Sequence, residues 1–105
     1  MDSYVERQLS LIEEAIRSYE LGVLNLNSLI QRVEALNAAI GSESLRDPLW
    51  PIISSMEEIN AISLDERRAM TKEEAHKINR DIDRIRSVVG SFRRTCSSRT
   101  SNPPD

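Results

Sequence analysis

The stretch Asp47-Pro48-Leu49-Trp50, with the run that follows it to Leu64, decides how this chain folds. Aspartate is a favoured helix N-cap and proline suits the first helical position, where no backbone N–H is needed, so a helix is expected over 48–64. Within it Leu49, Ile52, Ile53, Met56, Ile59 and Asn60 fall in one arc at 3.6 residues per turn, which is the pattern of a helix packed against a core. Trp50 lies to one side of that arc, above Glu57, while Glu58 and Asp65 face away from it. A large amphipathic ring beside carboxylates on the open side of a helix suits a basic partner. Equally, Trp50 suits the edge of a core, closing the bundle near Pro48.

Moving toward the N-terminus, residues 41–47 read as a polar loop whose Leu45 packs back. Before it, Leu29, Ile30, Val33, Leu36 and Ile40 form the apolar face of a helix over 27–40, with Asn25 or Asn27 as cap and Gly41 closing it. Val5, Leu9, Ile12, Ile16 and Tyr19 alternate steps of four and three in a first helix over 3–21, ended by Gly22. The short connection makes these two helices antiparallel neighbours. Glu6, Glu13 and Glu20 recur every seven residues on the first helix, an acidic stripe expected on its solvated side.

Toward the C-terminus, the third helix ends or kinks somewhere within 64–70. Thr71-Lys72-Glu73-Glu74 is a capping box, with Met70 and Ala75 placed for a hydrophobic staple, so a fourth helix begins at 72. Ala75, Ile78, Ile82, Ile85, Val89 and Phe92 give it a bundle seam, and Lys77, Arg80 and Arg84 its outer face. Residues 93–105 carry no apolar pattern and read as a disordered polar tail. The expected fold is therefore all-α: an antiparallel four-helix bundle over residues 1–92, followed by that tail.

The 105 residues carry a net charge of −3, but the two parts of the chain differ. Residues 1–66 hold twelve Asp and Glu against four Arg, a net −8, whereas residues 67–105 hold ten basic against five acidic residues, a net +5. Such asymmetry speaks of partners more than of fold. Contact between nucleic acid and the first three helices is disfavoured, because phosphates call for positive charge. The single cysteine, Cys96, excludes an intrachain disulfide. Together with an N-terminus that lacks the features of a signal peptide, and no run approaching a membrane span, this points to the cytoplasm.

Enzymatic chemistry requires convergent reactive groups, and none is legible. His76, the only histidine, falls off the apolar seam with no nucleophile or acid readable beside it, and Cys96 sits in the tail without fixed partners. Glu73-x-x-His76 is a single copy of a pattern that di-iron bundles use in pairs, so no metal site is expected. A glycine-rich phosphate loop is also absent, and no cofactor is expected.

Three sets of residues together resemble the small all-helical immunity proteins of the colicin D immunity type, including those encoded with contact-dependent inhibition toxins. These are the hairpin Ile16-x-x-Tyr19-x-x-Gly22-x-x-x-Leu26-x-x-Leu29-Ile30-x-x-Val33-x-x-Leu36, the helix from Trp50 through Met56, Glu57 and Ile59, and Thr71-x-Glu73-Glu74-x-x-x-Ile78-x-x-x-Ile82. The resemblance spans roughly residues 12–89. It implies a protein that binds the catalytic domain of a cognate toxin, often a tRNA-cleaving nuclease, and covers its basic cleft with an acidic surface. On this expectation Glu57, Glu58 and Asp65, with Glu13 or Glu20, supply the charge and Trp50 the aromatic anchor; the free protein would be a monomer or weak dimer. The competing expectation is a structural or regulatory helical protein that self-associates.

Overall fold

A computed structural model describes residues 3–101, with side chains as far as Thr95. Four helices follow one another, α1 (Ser3–Glu20), α2 (Leu26–Ile40), α3 (Glu43–Asp65) and α4 (Lys72–Ser101), with no strand among the described residues. Each helix packs on the next, α4 returns to α1 more sparsely, and no helix meets its diagonal opposite. The short dimensions of 23 and 20 Å each match two helix diameters, so a single core column is enclosed by a two-by-two arrangement. That column takes one stripe per helix: Leu9, Ile12 and Ile16; Leu29, Ile30 and Val33; Leu49, Ile52, Ile53 and Met56; Ile78, Ile82, Ile85 and Val89, all buried. The expected antiparallel four-helix bundle is what forms. None of its described helices is long and apolar enough to cross a membrane.

The ends of the helices explain the connections. Asn25 caps α2, its Oδ1 accepting from the Ser28 N–H at 2.8 Å. Gly22, at φ +79°, ends α1 in a Schellman turn in which the Val23 N–H reaches the Ser18 carbonyl at 2.9 Å. The same turn ends α3 after Asp65: the Arg68 N–H reaches the Ser63 carbonyl at 3.2 Å, and Arg67 takes the left-handed position at φ +53° that glycine takes in α1. α4 starts on the expected capping box, with the Glu74 N–H donating to Thr71 Oγ1 at 3.1 Å and the Thr71 N–H donating to Glu74 Oε1 at 2.9 Å.

Two boundaries differ from expectation. α3 begins at Glu43 with Ser42 at the cap position, so Asp47 is not its N-cap and Pro48 and Pro51 both lie inside the helix. Each proline withholds an N–H from the carbonyl four residues back, a cost of about 3 kcal/mol in a helix interior. Leu45 is fully buried within the extra turn, and its burial, worth roughly 1.5 to 3 kcal/mol, offsets part of that cost. A 48–64 helix would leave that side chain on a loop. The second boundary is at the other end, where α4 continues past Phe92 to Ser101. Arg93 is no tail residue but pairs with Glu6 and Glu13 of α1; residues 102–105 of the expected tail lie outside the described residues.

A candidate partner-binding face on the third helix

Because α3 spends one arc on the core, its remaining arc is displayed along the molecule. Trp50, Glu57 and Leu64 follow one another at seven-residue steps on one ridge, and Pro51, Glu58 and Asp65 at the same steps on the next. Trp50 is 60 % exposed, which places the ring on the surface rather than at the core edge. Glu57, Glu58 and Asp65 are exposed, and among the described residues none of the three has a hydrogen-bonding or ion-pair partner. From Pro48 to Asp65 there is no basic side chain. Ile62 and Leu64, both exposed, add apolar area to the same helix.

Glu13 and Glu20 are placed elsewhere. The stripe they form with Glu6 faces α4 and is neutralised there, where Arg86 Nη1 donates to Glu20 Oε2 at 3.0 Å. Arg93 Nη1 donates to Glu13 Oε2 at 3.0 Å and its Nε to Glu6 Oε2 at 3.0 Å. The Glu20 carboxyl is held below its ordinary value, chiefly by the hydrogen bond from Arg86, and Arg93 is raised, chiefly by Glu13. These carboxylates therefore do not belong to the open face. Arg86 and Arg93 are themselves seven residues apart, so matching heptads of opposite sign on two antiparallel helices were the signal for this seam.

A residue that sequence reasoning passed over is Glu34, on the flank of α2 beside α3. An Asn60 Nδ2 to Asn27 Oδ1 hydrogen bond of 3.0 Å sets the register of these two helices. The Glu34 carboxyl is raised by partial burial and then by the charge of Glu57 on α3. Sequence reasoning likewise passed over Asp81, 3 % exposed, whose Oδ2 accepts from Ser55 Oγ at 2.9 Å. Its place between Ile78 and Ile82 on the α4 seam was the available sign. This carboxylate is a structural tie between α3 and α4, enclosed by them.

His76 is exposed beside Lys72, Lys77 and Arg80 on the outer face of α4. Among the described residues no three His, Cys, Asp or Glu side chains converge as metal ligands, and the Cys96 side chain lies outside them. A cleft of about 410 Å³ opens between the cap residue Ser42, Ser44 and Pro48 of α3 and Ser87, Ser91 and Phe92 of α4. It is lined by hydroxyls and apolar groups without a titratable side chain, so it offers no acid or base to a reaction. The arrangement that stands out chemically is the acidic, tryptophan-bearing face of α3. In comparisons with known proteins, the chain matches no family model, no curated protein and no solved structure.

Proposed function

We propose that this protein is a non-catalytic binding module of the immunity type, which neutralises a cognate toxin domain by laying the α3 face over that domain's basic substrate cleft. The observation that carries the reading is the exposed Trp50 ring on a helix face with three carboxylates, Glu57, Glu58 and Asp65, that nothing in the described chain neutralises. Carboxylates held along a rigid helix occupy positions where a polyanionic substrate would place phosphates, so they steer association and exclude the substrate together. Trp50 supplies rigid contact area at low entropic cost and is the anchor of the complex. The resemblance of residues 12–89 to colicin D-type immunity proteins supports a nuclease acting on tRNA as the target, and the cytoplasm as the place of action. Glu13 and Glu20 drop out of this surface, because engaging a partner would first require breaking their pairs with Arg93 and Arg86.

The decisive experiment is co-expression with the C-terminal domain encoded by the adjacent gene. Growth should be rescued by the wild-type chain, and W50A should weaken binding by about 2 kcal/mol or more, some thirtyfold. No rescue, or a complex indifferent to salt, removes the proposal. A second reading, self-association, is favoured by one observation: Lys72, Lys77 and Arg80, with Glu73 among them, give α4 an exposed patch of net positive charge, opposite in sign to the α3 face. Sedimentation across a concentration range separates the two, since a chain that stays monomeric leaves self-association without support.

A further inference from the structure

The outer side of α1 and α2 carries a groove of about 270 Å³. Leu11, Ala15, Ala35 and Leu36 line it, together with one charge from each helix, Glu14 from α1 and Arg32 from α2. Small side chains at Ala15 and Ala35 leave the groove open, whereas Leu11 is 40 % exposed, with Tyr4 seven residues earlier on the same exposed ridge. Glu14 and Arg32 are both exposed, and among the described residues neither has a hydrogen-bonding or ion-pair partner. Opposite charges thus share one groove without reaching each other.

The two charges stand level along the bundle. Glu14 lies six residues before the end of α1 and Arg32 six residues after the start of α2, each about 9 Å from the turn that joins these antiparallel helices. By the same count Leu11 and Ala35 are level, nine residues from that turn. A two-fold axis running along the groove preserves height and exchanges the helices, so it sets α1 of one copy over α2 of another. Glu14 of each copy then meets Arg32 of the other, and Leu11 meets Ala35. Arg7, seven residues before Glu14, comes level with the uncharged Ala39, so no like charges are opposed. With α1 about 27 Å long and the bundle about 20 Å wide, the face offers roughly 500 Å² per copy. The total of roughly 1,000 Å² suits a weak, reversible dimer and falls short of an obligate one.

We propose that the groove between α1 and α2 receives a second copy of this chain, in a two-fold dimer closed by two Glu14–Arg32 pairs around the Leu11 contacts. The charge arrangement defines the occupant. A face with one acid and one base at the same height is complementary to itself, whereas a partner of single sign gains one pair and opposes the other. Neither α3 nor α4 takes part, so the dimer leaves the acidic α3 face open, and the inference does not rest on how that face is used. It also differs from pairing α3 with the basic patch of α4, which buries both.

The test is sedimentation velocity of the whole chain from about 1 µM to about 1 mM, in low and high salt. Wild type should dimerise reversibly and less strongly in salt. E14R and R32E should each weaken association about tenfold or more, because either change turns two attractions into two repulsions. The double variant E14R/R32E restores both pairs with their signs exchanged and should recover the dimer. Both positions are exposed, so the thermal melts of these variants should stay near that of wild type. K77E/R80E, on the α4 patch, should dimerise as wild type does. A chain that stays monomeric at about 1 mM overturns the proposal, as does a dimer indifferent to E14R and R32E or one that the double variant fails to restore. Loss of the dimer in K77E/R80E assigns association to α3 and α4 instead and overturns it equally. If E14R weakens binding of the adjacent-gene toxin domain to a monomeric chain, the groove belongs to that complex and the dimer falls. W50A, which judges the toxin reading, should leave the dimer unchanged, so the two failures are separable.

Discussion

Arg93 and Glu13 meet fork to fork, Nη1 to Oε2 at 3.0 Å and Nη2 to Oε1 at 3.1 Å, across 80 positions of sequence. The same guanidinium donates its Nε to Glu6, so one side chain on α4 holds two carboxylates of α1. R93A should cost about 1 kcal/mol, an estimate kept small because both glutamates reach solvent. R94A, one residue on and bonded among the described residues to Ser91, should fall within about 0.5 kcal/mol of wild type. Urea denaturation measures both, and 1 M salt should narrow the difference between them.

Arg67 occupies a left-handed backbone position that Gly22 fills in the equivalent turn of α1. A residue with a Cβ is strained there by roughly 1 to 2 kcal/mol, whereas glycine loosens the unfolded chain by roughly 0.4 to 1 kcal/mol. Relief exceeds that loss, so R67G should stabilise the protein by about 0.5 to 1 kcal/mol. A thermal melt that falls instead of rising by a few degrees contradicts this account of the α3–α4 connection.

Glu74 is held down to about 2, first by the hydrogen bond from Arg68 and then by the Thr71 N–H. Its folded value lies below the ordinary 4.5, so the stability it lends is fully present above that value. It is lost as pH falls from about 4.5 toward 2. Glu20, lowered in the same direction by Arg86, adds to the loss. E74Q preserves the capping-box acceptor and removes the charge, so the melting temperature of this variant should depend less on pH between 2 and 5 than that of wild type.

Ser55 donates to Asp81 at 2.9 Å inside the α3–α4 interface, where the Asp81 side chain is 4 % exposed. The other carboxylate oxygen lies 3.7 Å from Arg84 Nη1. S55A leaves a buried carboxylate short of a donor and should cost about 1 to 3 kcal/mol in chemical denaturation. A neutral result would mean that Asp81 is satisfied without it.

The core stripes were legible in the sequence because burial on a helix is a local, periodic property: Ile78, Ile82, Ile85 and Val89 announce their face without reference to any other helix. The Thr71–Glu74 box was legible for the same reason, each partner lying within one turn of the other. Charge behaved differently. Glu13 reads as solvated until Arg93 is known to lie opposite, and nothing within α1 announces that. The start of α3 was misplaced because Asp47-Pro48 satisfies every local rule for a helix beginning, whereas the extra turn carrying the buried Leu45 depends on packing that no local rule announces. At the candidate site, Trp50, Glu57, Glu58 and Asp65 were visible from one helix, whereas Glu34 required the register of two.

In the cycle of helix contacts, only the seam between α1 and α4 joins elements that are not consecutive in the chain. The other three seams form by adding each helix to its predecessor at small sequence separation, so loop-closure entropy opposes mainly the last. Such an ordering makes the Arg93 clamp a late event on the route to the native state. R93A should then speed unfolding and leave the folding rate nearly unchanged, a φ-value near zero that stopped-flow kinetics would detect, while a value near one would place ring closure first.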